Sequence, residues 1–373
     1  MSDILNNAIN LKLADSQVSA AYLNDVRVWP PGVGLWAFNI PADGSILEIK
    51  LGTVDNSNPE VNWGDTPTEE TLLNNVITDH TYDFTTDIST WTGALSVVYP
   101  DKIKKFEARN ASGQGWSGTR SYPYIKFAGK IDLSVTPNIT DFFVDSHSTE
   151  IIGLETLTEI VNFRNWNNDS KGKLVEDISN CTKLNVYNIQ STNYTGPAHT
   201  TIPTGMDRYV INNNKITEIP IHFDSSFDKL QYYYAYNNNI TGLIPSLSSI
   251  CIEYTGPNPN NTSIQLYNNL LNNVVSNWTV NSNIESFYVQ QNNLSAAAME
   301  TIIEQFNLFG KKEPNASAWR GSNGGFIDVS RQSDNTQVVS QSVIDTHISS
   351  LTANGWTVTI PTLSNSALKF PRI

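Results

Sequence analysis

From about residue 139 onward, apolar positions return in one order. They run apolar, two residues, apolar, one residue, apolar, two residues, often Asn, one residue, apolar, two residues, apolar. The pattern reads Ile284-x-x-Phe287-x-Val289-x-x-Asn292-x-Leu294-x-x-Ala297, Leu230-x-x-Tyr233-x-Ala235-x-x-Asn238-x-Ile240-x-x-Leu243 and Met206-x-x-Tyr209-x-Ile211-x-x-Asn214-x-Ile216-x-x-Ile219. A shorter copy is Ile264-x-Leu266-x-x-Asn269-x-Leu271-x-x-Val274. Earlier stretches keep the apolar beats without Asn: Ile139-x-x-Phe142-x-Val144, Thr158-x-x-Val161-x-Phe163 and Cys181-x-x-Leu184-x-Val186. The recurring position falls near 147, 166, 189, 214, 238, 269 and 292, a mean step of about 24 residues. Strand side chains alternate between faces, so the paired apolar beats predict a short strand whose inward residues fill a core. One repeat cannot bury its own apolar face, so several must stack. The Asn sits where the chain leaves the strand, and its amide can satisfy backbone groups that have no ladder partner.

This step lies in the range of about 20–29 residues typical of leucine-rich repeats. Over about half its length the sequence resembles leucine-rich-repeat proteins, in the irregular, Asn-rich form of bacterial surface and phage proteins. The resemblance makes Asn214, Asn238, Asn269 and Asn292 structural. The long step from 238 to 269 contains Thr255-Gly256-Pro257-Asn258-Pro259-Asn260, a loop signal. After Asn292 the pattern predicts a helix opening at Ser295, with Ile302, Ile303 and Phe306 on one face and Gly310 as its stop. A strand over Gly325–Val329, an amphipathic helix over Val339–Leu351 and a closing strand over Gly355–Ile360 complete a terminal α/β unit that caps the solenoid.

The front third has another grammar: short β-like runs such as Ile46–Leu51, broken by turn clusters. Val61-Asn62-Trp63-Gly64-Asp65, followed by His80-Thr81-Tyr82, resembles the W-G-D … H-T-Y signature of PKD-like β-sandwich modules. The resemblance makes Trp63 a core anchor, Gly64-Asp65 a tight turn and Tyr82 a residue packing back across the sheets, with His80 also structural. The rival reading, Asp65 and His80 as a metal or acid/base pair, lacks a third ligand at a motif-like spacing. Ahead of it, Val18–Pro30 predicts two short strands around Asn24-Asp25. This stretch is similar to an A-x-Y-L-G-x-x-x-V-W-P hairpin at the start of phage virion proteins, with Asn24 in place of the Gly. Asn tolerates the left-handed backbone that position needs.

The expected architecture is mainly β with some α. An N-terminal β-hairpin virion-attachment module covers 1–33, a PKD-like β-sandwich 34–100, and a leucine-rich-repeat solenoid 101–373, whose C-terminal α/β cap spans about 295–373.

Composition then narrows the function. Charged residues make up 16% of the chain, against roughly 25% in an average protein. The 23 Lys and Arg face 36 Asp and Glu, for a formal net charge of −13. Nucleic-acid binding needs clustered cations to displace counterions, so it is excluded, as is adhesion to an anionic membrane. No run reaches the ~20 apolar residues of a membrane-spanning helix, so no membrane insertion is expected. The Met1-Ser2-Asp3-Ile4 start shows no secretory signal pattern. Cys181 and Cys251, 70 positions apart, read as free, buried small hydrophobes.

No catalytic grammar stands out. The histidines His80, His147, His199, His222 and His347 are scattered, and no G-x-S-x-G elbow or P-loop occurs. Gly321–Gly325 precedes a strand rather than a helix, so it offers no helix-start amides to a phosphate. Asp141, Asp145 and Glu150 have no assigned pairing that would make a glycosidase. The expectation is a protein without enzymatic activity, cofactor or metal.

Binding is the better-supported idea. Residues beside and between the paired core beats point outward on the sheet. This places Tyr187, Tyr232, Tyr234, Tyr236, Tyr267 and Tyr288, with Gln265 and Gln290, on one concave face. Tyr among neutral amides suits sugar or protein recognition. Front hairpin, PKD-like module and solenoid in this order resemble a phage or prophage structural protein. That implies other virion proteins as partners of the N-terminal region and a host-surface glycan or protein as partner of the solenoid. It further implies assembly in the host cytoplasm and release by lysis, with a tail or fibre position first. A capsid decoration or head-fibre protein is the alternative, as is a bacterial surface adhesin, which requires an export signal.

Overall fold

The computed structural model describes residues 46–63, 69–81, 94–109, 128–145, 148–167, 177–220, 225–250, 262–308, 325–334 and 336–361, with residue 223 and the strand backbone at 21–23, 26–29, 34–37 and 172–173. The chain forms two compact units. One comprises 1–142 and 146–157; the other comprises 143–145 and 158–373.

In the first unit, Ala21–Leu23 pairs antiparallel with Val26–Trp29. Gly34–Ala37, Ala94–Val97, Glu60–Asn62 and Glu70–Thr71 form an antiparallel sheet in that order. Ile46–Thr53 lies antiparallel between Ile77–Thr81 and Ile103–Arg109. The last of these strands lies past residue 100, where the sequence reading ends this segment. Trp63 is buried; its ring stacks on His80 with centroids 4.4 Å apart, and its Nε1 donates to Glu70 Oε2 at 2.6 Å. Gly64, Asp65 and Tyr82 lie outside the described residues. Further on, Ala128–Asp132 pairs in parallel with Ser148–Ile152. A one-turn helix follows each strand, at Leu133–Val135 and Leu154–Thr156.

The second unit is a solenoid with one short strand per turn. Asn162–Trp166, Val186–Asn188, Arg208–Val210, Tyr232–Tyr234, Ser263–Gln265, Ser286–Tyr288, Phe326–Asp328 and Thr357–Thr359 pair in parallel, each with the next. The two C-terminal strands extend the same array, so the end of the chain adds turns to this sheet. Shorter parallel sheets, such as Thr241–Ile244 with Leu270–Val274, form where the chain returns. The helix Ala296–Asn307 starts at Ser295, whose side chain accepts from Ala298 N, and buries Ile302, Ile303 and Phe306. The helical stretch 341–353 contains a π-helical turn at Ile344–Ile348. Gly325 lets Trp356 lie on the backbone: a Cβ there would meet the indole at 2.0 Å.

The core follows the apolar beats. Ile211, Ala235, Leu266, Val289 and Val329 are buried one above another. Taking such an aliphatic side chain fully out of water stabilises by about 1.5–3 kcal/mol. Beside them runs an aromatic stack: Phe163 on Tyr187, Tyr187 on Tyr209, and Tyr209 on Tyr233, at centroid separations of 5.5, 5.5 and 5.4 Å.

Two early repeats run in a different register from the one the apolar pattern suggests. The inward beats are Ile160, Phe163 and Asn165 in one turn and Leu184, Tyr187 and Ile189 in the next, while Val161 and Val186 are not inward beats. Tyr187 pairs with Tyr209, is 2% exposed, and belongs to the core instead of the recognition face. Tyr and Asn at inward positions misled the reading, because Val161 and Val186 supplied an apolar spacing of their own. Cys181 is fully buried in the apolar core; Cys251 lies outside the described residues.

The recurring Asn builds a ladder. Asn214 Oδ1 accepts from Thr192 N and Tyr194 N in the preceding turn, at 3.1 and 3.0 Å. Asn238, Asn269 and Asn292 accept in the same way from Ile216 N, Ile240 N and Leu271 N at 2.9, 3.2 and 3.1 Å. Each Nδ2 donates to carbonyls of its own turn and the one before, as Asn238 does to Ile211, Ala235 and Tyr236. Gln332 continues the ladder, accepting from Leu294 N at 3.0 Å. The residue before each rung takes a left-handed backbone: Asn213, Asn237, Asn268, Gln291 and Arg331 have φ between 52° and 59°. Asn enters this region at low cost, which accounts for the Asn doublets.

Candidate recognition surface

Each turn presents three outward positions on the main sheet. The first column holds Arg208, Tyr232, Ser263 and Ser286, and the second Val210, Tyr234, Gln265 and Tyr288. The third column follows from backbone bonds just past the strands. Asn167 N, Ser191 N, Asn213 N, Asn237 N and Asn268 N donate to the carbonyls of Gln190, Asn212, Tyr236, Tyr267 and Gln290, each one turn on. Trp166, Gln190, Asn212, Tyr236, Tyr267 and Gln290 therefore share a column.

Of the residues expected on this face, Tyr232, Tyr234, Tyr236, Tyr267, Gln265 and Gln290 lie there, half-buried. Tyr288 lies in the same array but is 9% exposed, covered by Phe326, with ring centroids 4.9 Å apart. The tyrosines brace one another. Tyr232 meets Tyr234 edge-on at 5.8 Å, Tyr234 meets Tyr236 at 6.4 Å, and Tyr236 lies parallel to Tyr267 at 4.4 Å. Packing on a hydrogen-bonded sheet fixes these rings before any partner arrives, which lowers the entropy cost of binding. Gln265 Nε2 donates to Ser263 Oγ at 3.2 Å.

Charge is sparse and largely matched here. Arg208 stands over the Tyr232 ring at 4.7 Å and contacts Asp207 at 3.3 Å. Burial raises the Asp207 carboxyl above its ordinary range, while Arg208 acts in the opposite direction. Burial pushes the Tyr234 phenol up to about 12, against a hydrogen bond with Ser263 that lowers it. Burial also raises Tyr236, opposed by its hydrogen bond with Tyr267. These phenols stay neutral across physiological pH, as hydrogen-bonding groups. Among the described residues, no three His, Cys, Asp or Glu side chains gather into a metal-holding group.

Arg208, Val210, Gln190, Asn212 and Trp166 are among the residues of this array that the apolar pattern missed. Trp166 has Phe143 against it edge-on at 4.8 Å and Arg164 over its ring at 5.9 Å. The signal was present: with Phe163 and Tyr187 inward, the same offset that finds Tyr236 finds Trp166.

No protein-family model and no curated protein matches the chain. Among solved structures it is similar to the leucine-rich-repeat ectodomain of the plant membrane receptor kinase GASSHO1/SCHENGEN3 from Arabidopsis thaliana, in complex with Casparian strip integrity factor 2. That match has 19% identity and a TM-score of 0.31, covering 45% of this chain and 23% of that one. A TDR receptor matches at 14% identity and a TM-score of 0.32 over 55% of this chain and 41% of that chain. The plant peptide hormone receptor RGFR1 in complex with RGF2 matches at 17% identity and a TM-score of 0.27 over 55% and 42%. The chain spans less than half the length of each. The solenoid is defined by its own strand register and Asn ladder.

Proposed function

We propose that this chain is a non-enzymatic recognition protein that meets its partner through the tyrosine-bearing face of its parallel sheet. The observation that carries this reading is the group Tyr232, Tyr234, Tyr236 and Tyr267: four half-exposed rings, braced against one another and set among neutral amides. Tyr is enriched at binding hot spots because it offers a rigid apolar body and a polar tip.

The finer reading is a structural protein of a phage or prophage particle, tail- or fibre-associated, that contacts the host surface. Other virion proteins would hold its N-terminal region, and the particle would assemble in the host cytoplasm and leave by lysis. The motif resemblances at Ala21–Trp29 and at Trp63 and His80 support it, as does the antiparallel backbone hairpin at the first of these.

The test replaces Tyr234 and Tyr236 together with Ala in the particle. Adsorption to host cells should fall by about tenfold or more, the effect of losing one hot-spot contact, while incorporation stays unchanged. If adsorption and incorporation both stay at wild-type levels, the face is not a recognition surface. Electron microscopy of whole particles tests the tail assignment.

A further inference from the structure

We infer that the third column of this face is a binding row for a neutral, linear oligosaccharide of hexopyranose units. This names a ligand class for the recognition role proposed above and rests on it. The evidence is where unmet polar atoms fall. Among the described residues, Trp166 Nε1, Asn212 Nδ2, Asn212 Oδ1 and Gln290 Oε1 are all buried without a hydrogen-bond partner, and all three residues stand in this one column. Buried polar groups are otherwise nearly always satisfied, so orphans gathered in one outward row mark a place for a ligand's own donors and acceptors.

The row combines three amides, Gln190, Asn212 and Gln290, with three rings, Trp166, Tyr236 and Tyr267. Asn212 and Gln290 flank the parallel pair Tyr236 and Tyr267, and Trp166 lies two turns before Asn212. Such a row offers flat apolar surfaces for sugar C–H faces and, between them, neutral groups that both donate and accept, as hydroxyls require. Parallel strands repeat at about 4.8 Å, so Trp166 to Gln290 covers roughly 24 Å in five steps. One hexopyranose with its glycosidic oxygen is about as long as one such step. An extended peptide repeats its outward groups at about 6.6–6.8 Å and falls out of phase with the row. Charge points the same way: Arg208 of the first column engages Asp207, the residue before it, and Arg164 is placed over the Trp166 ring.

Asn212 is only 1% exposed, so a ligand reaches its amide when the side chains covering it turn aside. Tyr236 is its neighbour on the next turn.

The experiment probes the full chain against immobilised neutral hexo-oligosaccharides (gluco-, manno- and galacto-series), an anionic uronic-acid series, and whole host cells. It compares wild type with Asn212→Leu, Gln290→Met and the Tyr234→Ala/Tyr236→Ala pair. Binding to at least one neutral series, weakened tenfold or more by Asn212→Leu and by Gln290→Met with unchanged melting temperatures, is the expected result. The second variant keeps the test alive if the first unfolds. Binding only to the anionic series overturns the assignment, as does neutral binding indifferent to both amides. Blank neutral series with cell binding still lost in the tyrosine pair overturns the saccharide row but leaves the recognition face standing. Cell binding unaffected by the tyrosine pair removes both.

Discussion

Asn238 Oδ1 accepts the backbone N–H of Ile216, one turn earlier, at 2.9 Å, while its Nδ2 reaches the carbonyls of Ile211, Ala235 and Tyr236. One amide thus closes four backbone groups where the chain leaves the strand. Replacing Asn238 with Leu removes all four bonds at a buried site. Leaving a buried donor or acceptor unmet costs about 1–3 kcal/mol, so a loss of about 3 kcal/mol or more is expected from chemical denaturation. Asn237→Ala, at the half-buried neighbour with φ 52°, removes the side-chain bonds with Asn213 and Asn268 and leaves a residue without an amide in the left-handed region, so it should cost about 1–2 kcal/mol, less than Asn238→Leu.

The core stack contains a built-in comparison. Tyr209 Oη lies 2.7 Å from His199 Nδ1 and accepts from His199 N at 3.2 Å, whereas Tyr233 Oη is buried without a partner among the described residues. Tyr209→Phe should therefore destabilise by about 1–2 kcal/mol, and Tyr233→Phe should be neutral or stabilise by up to about 1 kcal/mol. Equilibrium unfolding of the two variants checks the difference; equal losses would refute it.

Alkaline pH should unfold this protein sharply. Burial raises the phenols of Tyr187, Tyr209 and Tyr233 and takes Tyr234 to about 12. In the unfolded chain these groups ionise near 10. Below that pH both states hold the proton and stability is flat. Above it the unfolded state releases protons that the folded state keeps, so stability falls, by about 1.4 kcal/mol per pH unit for each such tyrosine. Denaturation midpoints between pH 8 and 12, followed with phenolate absorbance, should show no change to about 10 and a steep decline beyond.

Gly325→Ala tests the packing at the end of the array. The new methyl would meet the Trp356 ring at 2.0 Å, and Trp356 itself is buried. Overpacking of this kind costs about 1–3 kcal/mol, occasionally more, and should appear as a lowered melting temperature. Gly205→Ala meets nothing within 4 Å and serves as the control.

The repeat was most legible where Asn marks it. From Met206 to Leu294 the strand beats and the rungs Asn214, Asn238, Asn269 and Asn292 stand where the spacing put them. The last beat of two turns falls one residue later: Leu243 is 43% exposed with Ile244 buried in its stead, and Val275 is buried instead of Val274. At 184–192 the rung is Thr192, whose hydroxyl bonds Ile189 O, and the inward aromatic is Tyr187. Without an Asn to mark the register, Cys181, Leu184 and Val186 offered a spacing three residues out of step. Gln332 was missed for a similar reason, since its longer side chain reaches the same carbonyls from a residue type outside the pattern.

The sequence by itself determined a stacked, neutral, Asn-rich repeat, because alternation and a recurring amide are local properties of the chain. The repeat register placed Tyr209 and Tyr233 inward and Tyr232, Tyr234, Tyr236 and Tyr267 outward. Only the tertiary structure decided Tyr187, which lies in the core, and Tyr288, which Phe326 covers. Tyr187, Tyr209 and Tyr233 stack inward, while Tyr232, Tyr234, Tyr236 and Tyr267 lie on the face. A phenol is amphipathic, so composition fits either side. Strand register across turns assigns each one, and a slip of one residue exchanges the faces.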